Sequence, residues 1–133
     1  MNSRDLHLTA SRPNLPATII SSGMSSEEHF QNKTLRPIIK FQRDLFVLAF
    51  RNYIDKHKNV YYGFSLQKRM DYINNALQKD LKFRNSLKGM VIGQFTLDEY
   101  STYIENSSAL NKRMMNLVRE SLLENIQLLD VAV

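Results

Sequence analysis

The sequence predicts an all-α protein, a small single-domain bundle of four to six helices. From residue 25 onward apolar residues recur at helical spacing, and no stretch alternates apolar with polar residues as a half-buried strand does. The 133 residues include only 4 Gly and 3 Pro, too few for the many turns of a β-sandwich or barrel. The chain is 43% hydrophobic and 23% charged, which is the composition of a globular domain and not of a disordered chain.

The N-terminal segment lacks the periodicity of the rest. Residues 1–23 hold many Ser, Thr and Asn and two of the three prolines. We therefore expect a poorly ordered tail over residues 1–23 and a helical bundle domain over residues 24–133. Polar and charged residues interrupt every apolar run of the tail, unlike a signal peptide, and Lys40 and Asp44 interrupt the most apolar stretch further on. The sequence thus predicts a cytoplasmic protein without a membrane segment.

Two helices are predicted at the start of the bundle domain. Ser25 is a suitable N-cap for a short helix over residues 26–33, with two glutamates in the first turn, where the helix dipole favours acids. Thr34 would cap a long helix over residues 35–57, with Pro37 in its first turn, where a missing N–H does no harm. Apolar side chains cover more than half of the circumference of this long helix. Either it is the central helix of the bundle, or another chain covers part of its surface.

Local capping patterns predict the remaining helices. Ser65 precedes a helix over residues 66–80, and Asp80 begins another over residues 81–92, unless the two form one bent helix. Thr96 and Glu99 have the spacing of a capping box, in which each side chain bonds the backbone N–H of the other residue. Their helix covers residues 97–106, and a last helix covers residues 109–130, either separate from it or continuous with it.

The same periodicity predicts the core. We expect apolar side chains from all the longer helices to meet in one cluster. The predicted core residues are Phe41, Leu45, Leu48, Leu66, Ile73, Leu77, Leu87, Val91, Tyr103, Leu117 and Ile126.

Few residues are suited to catalysis. The absence of cysteine excludes a disulfide scaffold, a thiolate zinc site, an iron–sulfur cluster and a thiol nucleophile. His7, His29 and His57 lie far apart, and none has the Glu-x-x-His or His-x-x-x-His spacing of a helical metal site. Gly89 and Gly93 frame neither a P-loop nor a dinucleotide-binding motif. We therefore expect a non-enzymatic protein with no catalytic residues, no metal and no cofactor.

Charge is unevenly distributed along the chain. Residues 33–88 hold 13 Lys and Arg against four Asp, a net charge of +9, whereas residues 89–133 hold three Lys and Arg against six acids, a net charge of −3. A basic block can be an ordinary solvated surface or a site for a polyanion such as nucleic acid. For the second alternative the candidate polyanion-binding residues are Lys40, Arg43, Lys79, Lys82, Arg84 and Lys88.

A helix-turn-helix over residues 96–119 is a second route to nucleic-acid binding. The second of its helices opens with Asn111, Lys112 and Arg113, which are candidate base-reading residues because their side chains suit base edges and phosphates. The acidic residues around them and the absence of glycine from the turn oppose this interpretation.

Surplus apolar surface favours a different function. Val47 and Ile54 project into the otherwise basic side of the long helix, and Leu129 extends the apolar face of the last helix. These three residues are the candidate partner interface. The leading hypothesis is a self-associating helical protein-interaction module that binds a second copy or another protein partner; the alternative is nucleic-acid binding.

Overall fold

Helices form all the regular structure in the described part of the chain, residues 2–15, 20 and 22–130 of a computed structural model. The α-helices are α1 (Ser3–Ser11), α2 (Ser26–Phe30), α3 (Arg36–Phe41), α4 (Arg43–Lys56), α5 (Leu66–Lys79), α6 (Leu81–Ile92), α7 (Leu97–Glu105) and α8 (Ser107–Glu124). A π-helical turn at Gln31–Leu35 joins α2 to α3, and 3-10 turns lie at Val60–Gly63 and Ile126–Leu129. The predicted all-α bundle is confirmed.

The centre of the bundle is α8, and not the helix predicted over residues 35–57. Helix α8 contacts α3, α4, α5, α6 and the π-helical turn. It is the longest described helix, and its broad apolar face gives the other helices one common surface. Its buried side chains are Leu110, Met114, Met115, Leu117, Val118 and Leu122.

Thr34 lies inside a continuous helical segment and does not cap a new helix as predicted. Pro37 has no N–H, and its ring would clash with a carbonyl of the preceding helical turn. The backbone avoids this clash by a π-helical turn, in which the N–H of Arg36 bonds the carbonyl of Gln31, five residues earlier. The buried Thr34 hydroxyl instead donates a 3.1 Å hydrogen bond to Glu99 Oε2.

A break at Gln42 divides the predicted long helix into α3 and α4. Gln42 has φ −89° and ψ 2°, and its side-chain amide donates a 2.8 Å hydrogen bond to the carbonyl of Met90. The helical hydrogen bonds continue on both sides of it, from the N–H of Gln42 to the carbonyl of Ile38 and from the N–H of Phe46 to the carbonyl of Gln42. At 100° per residue the buried Ile39, Phe46 and Phe50 therefore lie within about 40° of one another, on one face. Phe46, Val47, Phe50 and Ile54 are the buried residues of α4.

Four predicted core residues are therefore wrong. Phe41, Leu45 and Leu48 are exposed because they lie about 100–180° round the helix from the buried Phe46 and Phe50, and Leu66 is exposed at the first position of α5. Ile126 is only partly buried against the core. The other predicted core residues are buried: Ile73, Leu77, Leu87, Val91, Tyr103 and Leu117.

Residues 3–11 form α1, which differs from the poorly ordered tail predicted for this segment. Arg4 donates hydrogen bonds to the carbonyls of Phe95 (2.9 Å) and Gly93 (3.0 Å), and the carboxylate of Asp5 accepts the N–H of Leu97 (3.1 Å). Helix α1 is held mainly by polar contacts, which hydrophobic periodicity does not detect. Residues 1, 16–19 and 21 of the predicted tail lie outside the described residues.

The predicted caps are confirmed where they are local. The hydroxyl of Ser65 accepts the N–H of Lys68, and Asp80 Oδ1 accepts the N–H of Phe83, which separates α5 from α6. The capping box of Thr96 and Glu99 is complete. The last helix ends at Glu124 and continues only as a 3-10 turn, short of the predicted end at residue 130.

Replacing Leu77 with alanine should lower the free energy of unfolding by about 2–5 kcal/mol, because a buried leucine loses its contacts and leaves a cavity. Leu66→Ala is the matched control, since Leu66 is exposed on the same helix and should change stability by less than about 0.5 kcal/mol. Urea denaturation followed by circular dichroism measures both values. Equal effects would contradict the assignment of Leu77 to the core.

Candidate functional site

An open groove of about 540 Å³ lies between α4 and α6. Leu45, Leu48 and Ala49 form its α4 wall, and Phe83 and Met90 form the α6 wall. Leu45 and Leu48 are 42% and 60% exposed, so this wall presents uncovered apolar surface. We call this feature the α4–α6 groove.

Helical spacing places its lining residues on facing sides of the two helices. Leu45, Leu48, Asn52 and Lys56 span about 80° of the circumference of α4 at 100° per residue. An aromatic group closes one end: the ring of Tyr53 stacks on His57 at 4.0 Å between centroids and lies 4.3 Å from the ring of Phe83. The rings of Tyr53, His57 and Phe83 therefore pack against one another at that end.

The charges at the rim of the groove are mostly positive. Asp80 caps α6, and burial, together with the charge and hydrogen bond of Asp80, raises the pKa of Tyr53 to about 12. The carboxylate of Asp80 thus already interacts with groups of its own chain. Lys56 and Lys82 line the groove, and neither ammonium group has an ion-pair partner among residues 2–15, 20 and 22–130. The rim therefore favours an acidic occupant.

The candidate polyanion-binding residues at the start of the basic block border a different depression. Lys40 and Arg43 line a groove of about 870 Å³ between α3 and α8, and Glu120 and Glu124 form its opposite side. Arg43 also pairs with Asp44 at 3.2 Å. A polyanion in this groove would face two carboxylates, so its electrostatic attraction is reduced.

The other four candidates do not extend that surface. Lys82 lines the α4–α6 groove, and Lys79 borders a depression beside Tyr72. Arg84 and Lys88 follow Lys82 by two and six residues in the sequence. At 100° per residue they lie about 200° and 240° round α6 from Lys82. The six cations therefore do not share the single face that tracking a phosphate backbone requires.

The candidate base-reading residues open the central helix of the bundle. Asn111 accepts a hydrogen bond from the hydroxyl of Tyr103, and Arg113 donates a 3.0 Å hydrogen bond to Gln31 Oε1. Lys112 is exposed. A recognition helix must present its N-terminal residues to the major groove, whereas α8 packs against the surrounding helices on its buried face.

The candidate partner interface is wrong, because Val47, Ile54 and Leu129 are buried in the core of the chain itself. Val47 and Ile54 lie on the same side of α4 as the buried Phe50, and the 3-10 turn after α8 folds Leu129 back, so that its carbonyl accepts a 2.8 Å hydrogen bond from the Tyr62 hydroxyl. Leu45 and Leu48, which were predicted for the core, lie on the exposed side of the same helix and line the α4–α6 groove.

Comparison with protein-family models, curated proteins and solved structures finds no match for this chain. None of the described helices is both long and apolar enough to cross a membrane. Within the described residues, no three His, Asp or Glu side chains gather in a cluster of the kind that holds a metal ion.

Proposed function

We propose that this protein is a non-enzymatic interaction module that self-associates through the α4–α6 groove. The observation that carries the proposal is the exposed pair Leu45 and Leu48 on a helix whose other apolar residues form the core. Full burial of a leucine contributes about 1.5–3 kcal/mol, so covering these two half-exposed side chains would contribute roughly 2 kcal/mol in all. That contribution is available only to a complex.

The arrangement of the groove also supports protein binding. Its floor is aromatic and aliphatic, whereas charged and polar side chains lie at its edges, as in the core and rim of protein interfaces. A groove between two helices suits an amphipathic helix that inserts its apolar face. The stacked Tyr53 and His57 rings are already ordered, which reduces the entropy lost on binding.

Leu48→Glu should abolish self-association without unfolding the chain, because it places a charge in the apolar wall while its backbone stays helical. Light scattering coupled to size-exclusion chromatography should give the wild-type protein a mass above 15.5 kDa that rises with concentration. The variant should stay at 15.5 kDa, with an unchanged circular dichroism spectrum.

Leu66→Glu is the matched control, because Leu66 is equally exposed but lies outside the groove. It should associate like the wild-type protein. A wild-type mass of 15.5 kDa at every concentration would exclude self-association. Equal association of wild type and Leu48→Glu would exclude the groove as the contact.

A further inference from the structure

We propose that the occupant of the α4–α6 groove is helix α7 of a second copy of this chain, so that copies associate head to tail. This inference rests on the self-association proposed above and names the surface that fills the groove. It follows from the exposed apolar face of α7, its charge and its dimensions.

Helix α7 has an uncovered apolar face of its own. Leu97 and Ile104 are 60% and 56% exposed, and Tyr100 between them is also exposed. Their spacing of three and four residues places all three within about 60° on one side of the helix. We call these three residues the α7 stripe. No residue of α7 lines the α4–α6 groove of its own chain, so the groove and the stripe are separate surfaces.

Acidic residues flank the stripe, whereas cations predominate at the groove. Asp98 and Glu105 are exposed, lie about 80–100° round the helix from Leu97, and so flank the stripe on one side. Neither has an ion-pair partner in the described part of the chain. The unpaired cations at the groove are Lys56 and Lys82. Two free carboxylates beside an apolar stripe therefore complement two free ammonium groups beside an apolar groove.

The dimensions of the two surfaces agree. The stripe extends over eight residues from Leu97 to Ile104, a length of about 10 Å at 1.5 Å per residue. The α4 residues that line the groove extend from Leu45 to Lys56, about 16 Å on the same basis, so the groove is long enough for the whole stripe.

Helix α7 is also held in place before it binds. The capping box of Thr96 and Glu99 fixes its first turn, and the carboxylate of Asp5 accepts the N–H of Leu97 from α1. A preordered helix loses little conformational entropy on association. Because the groove and the stripe are different surfaces, the contact repeats from copy to copy and produces an open chain or a closed ring, of which a two-fold dimer with two reciprocal contacts is the smallest.

A mixing experiment with two variants tests this arrangement. Leu48→Glu disables the groove and keeps the stripe, whereas Ile104→Lys disables the stripe and keeps the groove. Each variant alone should be a 15.5 kDa monomer by light scattering. Mixed in equal amounts they should form a 1:1 dimer that cannot extend, because one intact stripe meets one intact groove.

The outcomes separate this inference from the proposed function. Unchanged association of Ile104→Lys together with loss in Leu48→Glu would overturn the α7 contact and leave the groove as the interface of another arrangement. Two monomeric variants that form no dimer on mixing would also overturn it. A monomeric wild-type protein would overturn both proposals.

Charge reversal provides a second readout that leaves the apolar residues intact. Lys56→Glu with Lys82→Glu should raise the dissociation constant by roughly 2- to 5-fold per lost pair, because exposed ion pairs contribute modestly. Adding Asp98→Lys and Glu105→Lys to the same chain should restore the wild-type dissociation constant. High salt should remove the difference in dissociation constant between the double variant and the wild type. A fourfold variant no tighter than the double variant would contradict the proposed pairing of the rim and the stripe.

Discussion

Replacing Phe50 with alanine should lower the free energy of unfolding by about 3–5 kcal/mol. Phe50 is fully buried, and its ring contacts four others at centroid distances of 5.5–6.3 Å. Deleting it removes these edge-to-face and tilted contacts and leaves a cavity that rigid rings do not fill. The rings that contact it are those of Tyr53, Tyr61, Tyr72 and Phe83.

The matched control for Phe50→Ala is Tyr61→Phe. Tyr61 belongs to the same cluster and is fully buried, but its hydroxyl has no hydrogen-bond partner among the described residues. Removing that hydroxyl keeps the ring and should leave stability unchanged or slightly increased. Urea denaturation of both variants measures the difference. A loss below about 1 kcal/mol for Phe50→Ala would show that this cluster is not tightly packed.

The helix boundaries that the sequence predicted correctly are those that depend on neighbouring residues. The caps at Ser65, Asp80 and Thr96 each bond an N–H group three residues away, so their effect is visible in the sequence itself. The break at Gln42 has no such local pattern. It is fixed in part by a hydrogen bond to Met90, on another helix, and only the folded chain brings these two residues together.

The candidate site was hidden for the same reason. Leu45 and Leu48 have the residue type of a core, and helical spacing places them near Ile38, which is buried. They are exposed because the packed side of α4 is the one that carries Phe46 and Phe50, and only the packing of α6 beside α4 makes their surface concave. The apolar surplus of this region was apparent from composition, but which residues form the surface was not.

The docking of α1 was missed because its contacts are polar and include an ion pair between distant positions. Arg12 forms two 2.7 Å hydrogen bonds to the carboxylate of Glu99 and a third of 2.7 Å to the carbonyl of Gln94. The two side chains are separated by 87 positions in the sequence and only 10% and 17% exposed. No periodicity indicates such a pair.

Replacing Arg12 with methionine should lower the free energy of unfolding at pH 7 by about 3 kcal/mol. The variant keeps an unbranched apolar stem like that of arginine but leaves the Glu99 carboxylate without its main partner in a poorly hydrated position. This loss is at the lower end of the range of unfolding free energies lost when a buried ion pair is broken. The reason is that Glu99 still accepts hydrogen bonds from the Thr96 N–H and the Thr34 hydroxyl. Hydrogen exchange should show loss of protection in α1, which Arg12 holds against Gln94 and Glu99.

The pH dependence distinguishes the ion pair from simple packing. Burial raises the pKa of Glu99. The hydrogen bonds from Arg12, Thr96 and Thr34, together with the charge of Arg12, lower it by more, so the pKa of Glu99 is below its ordinary value of 4.5. A carboxyl whose pKa is lower in the folded state stabilises the fold above its unfolded pKa, and this contribution disappears as the pH falls through the folded pKa. The difference between wild type and Arg12→Met should therefore be full at pH 7 and shrink below about pH 4.

Two further variants identify which property of Arg12 matters. Arg12→Lys keeps the charge but loses the two-pronged geometry of the guanidinium, so it should recover only part of the stability. Glu99→Gln removes the titrating group, and the stability difference between Glu99→Gln and its double variant with Arg12→Met should not change with pH. If the wild-type and Arg12→Met proteins differ by the same free energy at pH 7 and at pH 3, the ionised pair does not hold α1, and its docking depends on the contacts of Arg4 and Asp5 instead.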